Sequence, residues 1–120
     1  YMGFISNNHV QNILTTTSIL VVPSLWDDPF PLTALEGLSN GAAIIAANRG
    51  GLTEMLNGRG ILINDINQEK LENSITNFIF NNDLLKKYQN KSWNNYIYNQ
   101  TTISKFQDKI RKQIFSTYFT

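Results

Sequence analysis

The chain has 120 residues, enough for one small domain. With 42% hydrophobic and 12% aromatic residues it has the means to bury a core, which excludes wholesale disorder. Ten basic and nine acidic side chains leave a net charge of +1, so no global field draws a nucleic acid. The absence of cysteine excludes disulfides, thiol nucleophiles and cysteine-ligated zinc, and the single histidine, His9, excludes sites that need two. Apolar runs such as Ala42 to Ala47 fall far short of the about 18 residues a membrane helix needs. No charged-then-apolar leader opens the chain, and the expected placement is cytoplasmic.

Short apolar runs alternate with helical patterns through the first half, as in βα units on a parallel sheet. Tyr1 to Ile5 reads as an opening strand. His9 to Thr16 then places Val10, Ile13 and Leu14 at helical spacing, with Ser6 and Asn7 as capping candidates. Ser18 to Val22 is a strand of the fully buried type, stopped by Pro23. A loop over Ser24 to Pro29 leads into a helix from Pro31, a residue suited to a first helical position, to a stop at Asn40-Gly41. Ala42 to Ala47 is another buried strand. Gly50-Gly51 turns the chain into a short helix ending near Leu56-Asn57-Gly58, and Gly60 to Ile63 is a further strand. From Asn67 the pattern is helical, with breaks near Asn81-Asn82 and Gln100-Thr101. The expected fold class is α/β, a partial doubly wound parallel sheet of about four strands flanked by helices. Residues 1–66 form its α/β part and 67–120 its C-terminal helices.

The segment Pro23 to Glu36 carries the chemistry. It joins the carboxyl end of a buried strand to a helix, the place where open α/β sheets bind ligands. The backbone N–H groups of Leu32 and Thr33 lie in the first helical turn without an intrahelical acceptor, and the helix dipole adds to them a seat for phosphate. Asp28 in the loop and Glu36 one turn into the helix flank that seat. Carboxylates accept paired hydrogen bonds from vicinal hydroxyls, so a ribose and a hexose are suitable partners. The plainer alternative makes Asp28 a loop cap and Glu36 a solvated helix carboxylate. Gly50, Gly51 and Glu54 read either as a tight turn with a first-turn carboxylate or as the wall of a cleft beside the same loop. Trp26 reads first as packing and second as a stacking platform. Ser24 caps the loop, since no base accompanies it as a nucleophile.

These residues resemble a family. Pro23-Ser24, Asp28-Pro29-Phe30, Leu35-Glu36-Gly37, Gly41 through Ala46 and Gly50-Gly51-Leu52-Thr53-Glu54 follow the E-x7-E region of the retaining glycosyltransferases of group 1, or family 4. Gly3-Phe4-Ile5 before them and Asn57-Gly58-Arg59-Gly60-Ile61-Leu62-Ile63 after them are similar to the family's flanking motifs, so the resemblance covers roughly residues 1–80. It implies a Rossmann-like C-terminal half of a GT-B enzyme that binds a nucleotide-sugar, such as a UDP- or GDP-sugar. Glu36 would hold the ribose, Asp28 and Phe30 the transferred sugar, and the amides of Leu32 and Thr33 the diphosphate. Retention of configuration, no bound metal and no further cofactor follow from the same resemblance, as does a role in lipopolysaccharide or cell-surface polysaccharide assembly.

The sequence departs from the family's pattern at Asp28, where Glu is usual, and at Pro31, which has no N–H to donate. The family's basic Arg-Lys pair and its N-terminal acceptor domain have no counterpart here, which makes the expected piece the last two-thirds of one domain of a two-domain enzyme. The exposed edge of Ser18 to Val22 is then a candidate for self-association. Residues 83–120 carry seven basic and two acidic side chains, with Tyr88, Trp93, Tyr96 and Phe106 among them. That tail suits peripheral contact with the inner face of an anionic membrane, although packing of its apolar face on the sheet or the absent domain is the preferred reading. The alternative function is a catalytically silent binding or assembly module. A glycoside hydrolase fits poorly, because its two carboxyls must straddle one glycosidic bond. A dinucleotide oxidoreductase fits no better, since no G-x-G-x-x-G follows a strand.

Overall fold

The computed structural model describes residues 1–94 together with 108, 112, 115 and 116. Its elements in chain order are α1 (Asn7–Leu14), β1 (Ile19–Val22), α2 (Leu32–Ser39), β2 (Ala43–Ala47), α3 (Gly50–Met55), β3 (Ile61–Ile63), α4 (Gln68–Phe80) and α5 (Asn82–Asn94). Three strands form one parallel sheet in the order β1-β2-β3. Consecutive parallel neighbours joined by helices are one half of a doubly wound sheet, as the α/β pattern predicts.

Local chemistry accounts for the boundaries. The Ser6 hydroxyl accepts from the His9 amide to start α1, and Asn67 does the same for α4 through Lys70. Gly41, at φ +74°, takes the left-handed turn that ends α2. Pro31 stands one position earlier than expected: it is the N-cap of α2 rather than its first residue, and its carbonyl accepts from Leu35. The predicted break at Asn81-Asn82 separates α4 from α5. The one at Gln100-Thr101 lies outside the described residues, as do Tyr96 and Phe106.

The opening strand is a correction. Tyr1 to Ile5 joins no sheet; Gly3 has φ +65°, and Tyr1 and Phe4 are fully exposed. A strand needs a neighbour to satisfy its backbone groups, and among the described residues none pairs with this segment. The sheet therefore has three described strands rather than four, and no other described strand covers the outer edge of β1.

Alternation along β2 divides the core. Ile44 and Ala46 face Val22, Ala34, Leu38, Leu52, Met55 and Leu56 on the side of α2 and α3. Ala43 and Ile45 face Ile63 and Phe78, with Leu71, Ile75, Leu84, Leu85 and Tyr88 of α4 and α5 packed around them. All five residues of β2 are buried, as expected of a central parallel strand covered on both faces. Ser92, fully buried on α5, donates to the Ala42 carbonyl at 2.7 Å and pins the helix to the amino end of β2. Ser92→Ala is expected to lower the stability by about 1–3 kcal/mol, because a buried carbonyl loses its donor. Urea denaturation measures this directly, and a change under about 0.5 kcal/mol would show that the bond does not hold α5 in place.

Candidate functional site

The loop from Pro23 to Phe30 leaves the carboxyl end of β1 and is braced by its own polar groups. The Ser24 hydroxyl accepts from the Trp26 amide at 3.3 Å, which is the capping role expected of it. The Asp28 amide donates back to the Trp26 carbonyl at 3.0 Å, and Asp28 Oδ1 accepts from the Phe30 amide at 2.9 Å. One carboxylate oxygen of Asp28 is thus committed to the loop's turn, while the group as a whole retains further acceptor capacity.

The loop then docks on the start of α3. The Gly51 amide donates to the Asp28 carbonyl at 2.7 Å. A Cβ on Gly51 would lie 2.3 Å from the Pro29 oxygen, and one on Gly50 would lie 2.8 Å from the Asp28 oxygen. Backbone meets backbone here, and only glycine permits it. Arg49 closes the same contact from the side: its guanidinium donates to the Leu25 carbonyl and lies 3.7 Å from Asp27. Gly50 and Gly51 are therefore the seat on which the loop rests. Gly51 and Glu54 also line, with Pro29, Phe30 and Met55, a small niche of about 110 Å³. That is well below the volume of a pocket enclosing a whole small molecule.

At the start of α2 no side chain caps the helix. The amides of Leu32, Thr33 and Ala34 precede the first intrahelical bond, which Leu35 makes to Pro31. Leu32 and Thr33 are exposed and Ala34 is buried. A positive helix end thus faces solvent beside the loop that carries Asp28. Glu36, half-buried one turn later, accepts at Oε1 from Gln11 Nε2 of α1 at 3.1 Å. The Gln11 amide oxygen in turn faces Asn40 Nδ2 at 3.5 Å. Gln11 had no signal in the sequence beyond its place on α1, since its partner lies 25 residues away. Trp26 is 76% exposed on the loop, against the packing role first expected, and Phe30 and Leu32 continue an apolar rim around the turn.

A second feature was not foreseen. A cavity of about 570 Å³ opens at the carboxyl ends of β2 and β3, lined by Leu25, Ala47, Asn48, Arg49 and residues 63–66. No helix among the described residues is long and apolar enough to cross a membrane.

Comparison with known proteins agrees with this geometry. Residues 1–100 match the family described as glycosyl transferases group 1. A stretch of 56 residues, 47% of the chain, is 27% identical to an uncharacterised glycosyltransferase of Methanocaldococcus jannaschii. The match spans 14% of that protein's length. A parallel α/β sheet with an uncapped helix at its carboxyl edge, matched over most of its length, places this chain in the glycosyl transferases group 1 family.

Proposed function

We propose that the chain is the donor-binding part of a glycosyltransferase that moves a sugar from a nucleotide-sugar with retention, in lipopolysaccharide or cell-surface polysaccharide assembly. The observation that carries this reading is the amino end of α2, where Leu32 and Thr33 are exposed residues and no side chain caps the helix. The donor diphosphate accepts from the amides of these residues, and the helix dipole stabilises the charge that develops as the bond to the anomeric carbon breaks. No metal is needed for that stabilisation. Glu36, steadied by Gln11, takes the ribose hydroxyls with its second oxygen. Asp28, with one oxygen spent on Phe30, takes hydroxyls of the transferred sugar with the other. Phe30, 45% exposed, covers the sugar face. The niche beside Gly51 is too small to hold the donor, which therefore lies across the surface between the loop and α2.

Calorimetric titration with UDP-glucose and GDP-mannose tests the reading. Glu36→Ala is expected to weaken donor binding by about 10- to 100-fold, the loss of hydrogen bonds to a charged group. Glu72→Ala, on the exposed face of α4, should leave it unchanged. Equal binding by both variants would overturn the assignment. Binding that Glu36→Ala abolishes, with neither transfer nor donor hydrolysis by the parent chain, would identify the silent binding module instead.

A further inference from the structure

We infer that the outer edge of β1 is a docking surface for a second copy of this chain, filled by residues 1–5 of the other copy in a reciprocal exchange. The surface uses none of the residues assigned to the donor.

The edge is open to a further strand. The Ala43 amide donates to the Ser18 carbonyl at 3.0 Å, and the parallel register sets Ile19 against Ala43 and Val22 against Ala46. Alternation along the strand then turns the backbone groups of Ser18, Leu20 and Val22 to β2, and those of Ile19 and Val21 to the outer edge. Among the described residues nothing bonds to these outward groups. Ile19 packs toward α4 and α5, and Leu20 toward α2 and α3. Both are only half-buried, whereas every residue of β2 is buried. Open edges are ordinarily blunted by charge, proline or a bulge. From Ser18 to Val22 there is no charge and no proline, and the register is unbroken. The opposite edge strand, β3, is protected by its length of three residues.

Residues 1–5 supply the complement. Tyr1, Met2 and Phe4 are exposed, Ile5 is half-buried, and the segment has no charged side chain. In extended form it turns Met2 and Phe4 to one side and Tyr1 and Ile5 to the other, so the added strand is apolar on both faces, as β1 is. Gly3 has to leave φ +65° for this, and glycine reaches the extended region at no steric cost. Exchange between two copies fills both β1 edges at once and closes on itself, so association stops at a dimer. Tyrosine and phenylalanine bury about 150–250 Å² each. Two of each, with the matching area on the receiving edges, reach roughly 1,200–2,000 Å², the size of a stable interface.

Analytical ultracentrifugation of the 120-residue chain between roughly 10 µM and 1 mM, where open strand edges associate, should show a dimer of twice 13.7 kDa. Hydrogen exchange should show the Ile19 and Val21 amides protected in that dimer. Phe4→Asp alters a side chain that is fully exposed in the single copy, so the variant folds. It is expected to weaken dimerisation at least about tenfold and to free both amides. Phe80→Asp, at an exposed position on α4, should change neither. In a sample mixed from isotope-labelled and unlabelled copies, NMR should show the Phe4 ring against Ile19 or Val21 of the other copy. A monomer throughout the range, species larger than a dimer, or a dimer that Phe4→Asp weakens no more than Phe80→Asp does overturns the proposal. So do Phe4 contacts confined to one copy, or protection of Ile19 and Val21 in a monomer, since a segment of the same copy would then cover the edge.

Discussion

Gly51→Ala is expected to unseat the loop that carries Asp28, and with it donor binding. The added Cβ would stand 2.3 Å from the Pro29 oxygen and 2.7 Å from its carbonyl carbon, and both are backbone atoms that no rotamer change can move aside. Relief requires the loop and α3 to separate, which also breaks the bond from the Gly51 amide to the Asp28 carbonyl. Overpacking of this kind costs about 1–3 kcal/mol, or a fall in Tm of roughly 10 °C. Nucleotide-sugar affinity should fall at least about tenfold, since Asp28 and Phe30 leave their positions. Gly58→Ala provides the comparison. Gly58 also has a positive φ, +71°, yet has open space where a Cβ would go. That variant should lose about 1–2 kcal/mol through backbone strain alone and keep its donor affinity. Equal donor affinity in the two variants would show that the loop does not depend on its seat at α3.

Phe78→Ala should have the largest effect on stability. Phe78 is fully buried on α4, against Ala43, Ile45 and Ile63 of the sheet, and meets the Tyr88 ring edge-on at 5.5 Å and 67°. Truncation leaves a cavity and removes an aromatic pair, at about 3–5 kcal/mol. Small domains are stable by only about 5–15 kcal/mol, so the variant is expected to be partly unfolded at growth temperature. Urea denaturation should show a lower midpoint with an unchanged slope. A loss under about 1 kcal/mol would mean that α4 and α5 are not cooperative with the sheet. The folded fraction should bind donor as the parent does, because Phe78 lies on the sheet face opposite α2 and α3.

The order of elements from α1 to α5 was legible from residue order, because burial period and end signals are local. β1, β2 and β3 read as short apolar runs, and Ser6, Asn67 and Gly41 marked helix ends by what their own atoms can do. The uncapped start of α2 was equally legible: a helix that follows a buried strand directly after Pro31 leaves the amides of Leu32 and Thr33 without an intrahelical acceptor.

What the sequence alone determined, then, is the α/β class, the three paired strands and the loop-to-helix form of the candidate segment. Tertiary structure decided the rest. Whether Tyr1 to Ile5 became a strand depended on a neighbouring strand, and none of the described strands pairs with it. Whether Gly50-Gly51 was a simple turn or a docking surface depended on the approach of a loop more than twenty residues earlier. The Gln11 support of Glu36 and the gathering of Asn48, Asn64 and Asp65 around one cavity likewise join segments distant along the chain. Backbone propensity and hydrophobic period act over a few residues and can be read in order. Close approach between separate segments is set by how the layers pack, and no single stretch of sequence encodes it.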